Sequence, residues 1–428
     1  MFKPVLLALA LTATPVWAES PPTAATDPLP RARPEDAGLS PERLARIGEV
    51  LRADIDAGKL PGAVIAVARN GKLVMFQAYG FRDKAAGTPM TTDTIFNIAS
   101  MTKPMTAVAA LVLAEHGKLL IDDPIAKFLP AFGNRAVATL DAAGNTITGT
   151  APAAQPITIR DLMTHTSGLI YGGRGTTAVH KLYPAGSAAA AAELTGTAFL
   201  AKLAAQPLLH QPGQVWDYGF GLDVLGLIVE AQTEQGLGVS LDQMLWKPLG
   251  MADTGFMIPA ANAARYARAL PVDPATGQPQ SVTPDALLGS KFECGGGCAV
   301  STAGDYMRFA TMLLNKGEYN GTRILGRKTV EYMTANQLAP QVRNLIGAAD
   351  PTRAGFGFGL GLAVRTTPGI VHSLGSVGEF SWPGASGTNW WVDPKEQLAV
   401  VFMAHTPGPA RWRYRELISA LVYQAIID

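Results

Sequence analysis

The sequence predicts an α+β fold, in which an antiparallel sheet with packing helices is completed by both ends of the chain around an inserted all-helical region. Three observations carry that expectation. Apolar runs of strand length stand near both ends, at 63–68 and 73–79 and again at 358–364, 389–392 and 398–403. From about 100 to 336 the recurring signals are helical spacings and helix starts. With 48% hydrophobic and 16% charged residues, the 428-residue chain carries enough apolar side chain for one large domain or two joined lobes.

Taken in order, residues 1–18 read as a secretory signal: Lys3 precedes an apolar run at 5–11, and Val16-Trp17-Ala18 ends in small residues. Cleavage after Ala18 implies a periplasmic or secreted protein, and the apolar run is far below the roughly 18 residues that a membrane span needs. Residues 19–39, rich in Pro, Ala and Thr, read as a linker. The folded unit is then 40–428, with one lobe from 40–99 and 337–428 and a helical lobe from 100–336. Ser40 suits a helix N-cap with Pro41 in the first turn, and Leu44, Ile47, Leu51 and Ile55 follow at spacings of three and four. Asn70-Gly71 between two apolar runs signals a hairpin. Thr158 with Asp161, and Thr302 with Asp305, resemble capping boxes. Tyr306, Phe309, Ala310 and Leu313 mark one buried helical face, with Gly317 as its stop. The stretch 172–196 reads as a helical insertion or a loop. Asp393-Pro394 turns between the last two strands, and Leu417, Ile418, Leu421, Val422 and Ala425 share a face of the closing helix.

Charge and cysteine content exclude whole classes. Lys+Arg 35 against Asp+Glu 34 leaves a net charge of +1, with no electrostatic footprint for nucleic acid. His116, His165, His180, His210, His372 and His405 show no ligand spacing, so neither a metal nor a cofactor is expected. No Gly-x-Ser-x-Gly occurs, which removes the usual α/β-hydrolase elbow. Cys294 and Cys298 bracket three glycines; a short-loop disulfide and two buried thiols both fit.

Three segments carry chemistry. In Ser100-Met101-Thr102-Lys103, serine and lysine lie three apart at a helix start, so they share a face and a neutral lysine can accept the serine proton. The Ser100 N–H, unpaired at that helix end, suits a developing oxyanion. The bare spacing fits a surface pair equally well, but the apolar flanks argue for a buried helix in which lysine needs a purpose. Tyr218, in Trp216-Asp217-Tyr218-Gly219-Phe220, fits a proton relay or a packing tyrosine. Trp382-Pro383-Gly384-Ala385 enters a strand; its small residues let backbone approach a ligand, with the Ala385 N–H as second oxyanion donor, or else form a bend.

In this order the three segments resemble the serine β-lactamase and penicillin-binding-protein superfamily, in the class C-like branch that includes the family VIII carboxylesterases. Pro61-Gly62-Ala63 and Leu162-Met163-Thr164-His165-Thr166-Ser167-Gly168-Leu169 extend the resemblance over most of the chain. It implies a β-lactamase/transpeptidase-like fold with a cleft between lobes, and gives Ser100, Lys103 and Tyr218 the positions of nucleophile, base and proton relay. Phe220 and Trp382-Pro383-Gly384 stand where β-lactamases of this branch carry Tyr-x-Asn and Lys-Thr-Gly. The cation that grips a substrate carboxylate is therefore expected to be missing, with Phe220, Trp382 and Gly384 bordering the substrate instead. The resulting expectation is a serine carboxylesterase of short-chain acyl esters, a small-molecule ester its partner. A β-lactamase, a D-alanyl-D-alanine carboxypeptidase or D-aminopeptidase, and an acyltransferase are the alternatives on one scaffold. A binding protein that has lost catalysis is the reading from another class, and intact Ser100, Lys103 and Tyr218 argue against it.

Overall fold

The computed structural model describes residues 27–280 and 289–428, so the expected leader at 1–18 lies outside the described residues. Part of the expected linker does not. Residues 27–39 run along the sheet edge, where Ala32 N–H donates to the Leu73 carbonyl and Leu73 N–H to the Pro30 carbonyl. Leu29, Ala37 and Leu39 are buried. The prolines that suggested a linker are interleaved with apolar side chains that anchor the segment.

Helix α1 (Pro41–Asp56) begins as expected, its Ser40 hydroxyl accepting the Arg43 N–H. Strands β1 (Gly62–Arg69) and β2 (Lys72–Asp83) form the hairpin around Asn70-Gly71, and β3 (Thr88–Pro89) is an edge. Next come helices α2 (Thr102–Glu115), α3 (Ile159–Thr164), α4 (Gly221–Thr233) and α5 (Ala303–Leu314). The chain returns to the sheet through β4 (Phe356–Phe358), β5 (Ala363–Arg365), β6 (Phe380–Ser381), β7 (Asn389–Asp393) and β8 (Leu398–Ala404), and closes with α6 (Ala410–Tyr423).

These strands make an eight-stranded sheet in the order β4-β5-β6-β7-β8-β1-β2-β3, each neighbour antiparallel. The ends of the chain meet in the middle: β1 pairs β8 from Ala63↔Ala404 to Arg69↔Leu398. Every residue of β1 is buried, because successive side chains serve opposite faces. Ala63, Ile65 and Val67 pack under α1 and α6, while Val64, Ala66 and Ala68 join the larger core shared with α2, α4 and α5.

Three expectations change. The run 358–364 is two strands and a turn, because Gly361 adopts a left-handed φ of 82° and Gly359 N–H closes onto the Leu362 carbonyl. The inserted region is not exclusively helical, since Ala136–Leu140 and Ile147–Pro152 form a hairpin within it. Thr158 and Asp161 form a complete capping box, but Asp305 turns its carboxylate to the Asp253 N–H (2.8 Å) and Thr254 hydroxyl (3.0 Å), leaving Thr302 a one-sided cap. Burial holds Asp305 up at about 6.

Candidate active site

The nucleophile segment is set by a strained residue. Ala99 sits at φ +42°, where a non-glycine backbone is costly, and its N–H is held by the Asn97 side chain at 2.8 Å. A 3₁₀ turn, Ala99–Met101, then delivers Ser100 just ahead of α2, whose first turn carries the fully buried Lys103. Lys103 Nζ lies 3.4 Å from Ser100 Oγ and 3.1 Å from the Tyr171 hydroxyl, and donates a third hydrogen bond to the Gly296 carbonyl. The Tyr218 hydroxyl is 2.6 Å from Ser100 Oγ. Lys103 Nζ lies 4.5 Å from the centre of the Tyr218 ring. The structure thus brings together Ser100, Lys103 and Tyr218, which are separated by up to 118 positions.

The lysine floor was not visible in the sequence. Cys294 and Cys298 are joined, Cα atoms 5.2 Å apart, and Gly295 and Gly296 between them press against α2 and α4. A Cβ on Gly295 would meet the Leu222 carbonyl at 2.7 Å, and one on Gly296 would strike the Asp223 carboxylate. Bare backbone is required there. Gly296 N–H donates to Asp223 at 3.0 Å while its carbonyl accepts from Lys103. Tyr171 connects the same carboxylate to the lysine, with its hydroxyl 3.3 Å from Asp223 and 2.7 Å from the Ser187 hydroxyl. Burial pushes Asp223 up, opposed by Lys103 and the hydrogen bonds from Ser187, Gly296 and Tyr171. A lone carboxylate in the apolar run of α4 was the available signal for this network; Tyr171 had none.

The Thr-His-Thr-Ser-Gly-Leu string is the seat of Tyr218. Its backbone takes hydrogen bonds from Gly213, Asp217 and Phe220, and a Cβ on Gly219 would collide with the Leu169 carbonyl. The His165 ring lies 4.7 Å from that of Tyr218. Burial, then Lys103 and Arg174, hold His165 well below the usual imidazole range, so it packs as a neutral ring. Burial alone would raise Tyr218. The cations of Lys103 and Arg174, with the hydrogen-bond contact to Ser100, outweigh it and bring the phenol below its ordinary value.

The third segment is stitched to the first. Ser386 donates to the Asn97 carbonyl, Thr388 to Ile98 at 3.4 Å, and a Cβ on Gly384 would strike Ile98. Ala385 thereby lines the same cleft as Ser100. Trp382 lines it too, its Nε1 3.3 Å from the Tyr218 hydroxyl.

Two expectations about the wall are corrected. Phe220 does not border the substrate space; fully buried at the start of α4, it stacks edge-on with Tyr171 at 4.6 Å, since the glycines around it draw that backbone into the core. Nor does the cleft lack cations. Arg174, Arg411 and Arg415 border the Ser100 cleft, with Asp350 the carboxylate among them. They come from a glycine-rich turn and from α6, remote from the third segment, which is why inspection of that segment missed them. Arg415, next to the core residue Tyr414, was the readable exception: an arginine on the buried side of a helix.

Comparison with known proteins decides the family. The Beta-lactamase family model matches residues 47–424. The chain belongs to the Beta-lactamase family. Among its members, an uncharacterized protein of Mycobacterium tuberculosis is 39% identical, over 83% of this chain and 89% of its own. Esterase EstB of Burkholderia gladioli is 32% identical, over 88% of this chain and 95% of its own. The solved structure of EstCE1, described as a hydrolase with promiscuous acyltransferase activity, superposes with a TM-score of 0.71 at 26% identity, covering 89% of this chain and 99% of that one. This Beta-lactamase family member is an enzyme of the serine hydrolase type, with the β-lactamase/transpeptidase-like fold. Among the described residues, no helix is long and apolar enough to cross a membrane.

Proposed function

We propose that the enzyme is a carboxylesterase of short-chain acyl esters working through an acyl-enzyme on Ser100. The observation that carries this reading is the short contact between Tyr218 and Ser100 beside a lysine whose donors are all engaged. An ammonium has three N–H groups, and acceptors on Ser100, Tyr171 and Gly296 use all three. Tyr218, lowered by two neighbouring cations, is therefore the better proton acceptor, and Lys103 acts by stabilising its phenolate. Trp382 Nε1 favours the same charge by donating to that oxygen.

In this reading Ser100 Oγ attacks the ester carbonyl and its proton passes to Tyr218. The tetrahedral oxyanion lies between the N–H groups of Ser100 and Ala385. Its collapse breaks the bond to the alkoxide, which takes the proton back from Tyr218. Water, activated by the phenolate, then attacks the acyl-Ser100 carbonyl and releases the acid. The esterase relative supports ester over β-lactam chemistry. A disulfide between Cys294 and Cys298 fits an oxidising compartment and supports the expected export.

The test is a fluorophosphonate adduct mapped by mass spectrometry, together with turnover of p-nitrophenyl butyrate and nitrocefin by the same sample. A Ser100 adduct with kcat/KM clearly higher for the ester is expected. An adduct on another serine, or equal turnover of nitrocefin, overturns the reading. A second reading, acyl transfer, is favoured by the description of EstCE1, and is measured by the share of acyl groups that an added alcohol captures.

A further inference from the structure

We infer that Arg415 is a positioning residue for the oxyanion hole, acting through the peptide group between Gly384 and Ala385. This rests on the acyl-enzyme reading above. Arg415 is buried on α6 and reaches out in two directions: Nη2 donates to the Gly384 carbonyl at 3.0 Å and Nη1 to the Asp350 carboxylate at 2.8 Å. Asp350 is itself held, by the Thr352 N–H at 3.0 Å and by Arg353. Arg353 in turn donates to Ser381 at the end of β6. One chain of charged hydrogen bonds therefore runs from the closing helix to the strand that leads into the oxyanion segment.

The Gly384 carbonyl and the Ala385 N–H belong to one planar amide. In a trans peptide they point in opposite directions, and the described residues contain no cis bond. A guanidinium that fixes the oxygen therefore also fixes the direction of the N–H on the other side. It has an electronic effect as well: a cationic donor on the oxygen draws charge through the conjugated amide and makes its N–H a stronger donor, an effect enlarged where water is excluded. Gly384 N–H to the Thr388 carbonyl, at 2.9 Å, and Ser386 to Asn97 hold the flanking residues, so this amide is clamped from both sides. The planar fork of arginine presents Nη1 and Nη2 to separate acceptors in a fixed geometry, which suits the position.

The experiment compares Arg415→Ala and Arg415→Gln with the native full-length enzyme. Steady-state kinetics on p-nitrophenyl butyrate are read beside the infrared carbonyl stretch of an acyl-enzyme trapped with a slowly hydrolysed ester. Removing an oxyanion donor outright costs about a hundredfold or more in kcat, and misdirecting one should cost about tenfold. Arg415→Ala should therefore lose about tenfold in kcat with KM within about twofold, and its acyl carbonyl stretch should move to higher wavenumber. Arg415→Gln, which keeps a donor without the charge, should recover part of both. If the alanine variant does not fold, the glutamine variant alone must show the raised wavenumber. A native stretch and native kcat in a folded variant overturn the proposal while leaving Ser100 as nucleophile. Failure of the native enzyme to acylate on Ser100 overturns both.

Discussion

The two ends of the cleft handle positive charge in opposite ways. At the floor, Lys103 is enclosed: its three donors meet Ser100, Tyr171 and a loop carbonyl, and Asp223 lies one hydrogen bond further on. At the rim, Arg174, Arg411 and Arg415 face the same space with Asp350 as the carboxylate among them. The floor encloses one cation, whereas the rim gathers three arginines around one carboxylate. A buried cation must be matched by its own scaffold to stay ordered, whereas excess charge at a cleft mouth acts on whatever enters. In the proposed mechanism the floor sets proton transfer and the rim the potential around the substrate.

The largest effect comes from removing the atom that both ends serve. Ser100→Ala should abolish ester turnover with unchanged circular dichroism, and residual turnover above about a thousandth of native would move the covalent step elsewhere. Tyr218→Phe removes the proposed proton acceptor and should cost about a hundredfold in kcat, the usual scale for a general base. A phenylalanine variant with native rates would leave Tyr218 a packing residue. The floor can also be loosened without touching it: Cys294→Ser with Cys298→Ser frees the glycine loop beneath Lys103. A roughly tenfold fall in kcat is expected, larger than the change in KM, and unaltered kinetics would show that the loop holds its place without the bridge.

The rim is read through pH and charge. Arg174, 4.7 Å from the centre of the Tyr218 ring, helps to lower that phenol. In the proposed mechanism the phenolate form is the active one, so kcat/KM should rise with pH through the Tyr218 titration, which lies below the ordinary value of 10.0. Arg174→Gln removes a lowering influence, so the rising limb should move to higher pH; no movement would separate the rim from the floor. The smallest effect is on substrate charge. Arg411→Gln should cut kcat/KM for a p-nitrophenyl hemisuccinate a few-fold while sparing the butyrate, and equal losses on both would mean that the rim does not sense charge.

Much of this site was legible because its chemistry is local in the chain. Ser100 and Lys103 share a face by helical spacing alone, and Gly384 and Ala385 announce a close backbone approach. The same local logic failed where a feature of composition had two outcomes. Prolines at 27–39 read as a linker but carry anchoring apolar residues, and an apolar run at 358–364 read as one strand although two glycines break it. Phe220 was placed on the wall by its position in a motif, whereas its neighbours Gly219 and Gly221 draw it inward.

Sequence alone determined that both chain ends supply strands to one antiparallel sheet, that helices start at Ser40 and Thr158, and that Ser100 and Lys103 share a face. These follow from periodicity, capping and turn chemistry, all of which act within a few residues. Tertiary structure alone decided that a disulfide loop would floor the lysine, that Tyr171 would link it to Asp223, and that arginines from α6 would border the same cleft as Trp382. Those contacts span tens to hundreds of positions, and their partners are chosen by which backbones can approach. No spacing in the chain records that choice, because it is made by packing.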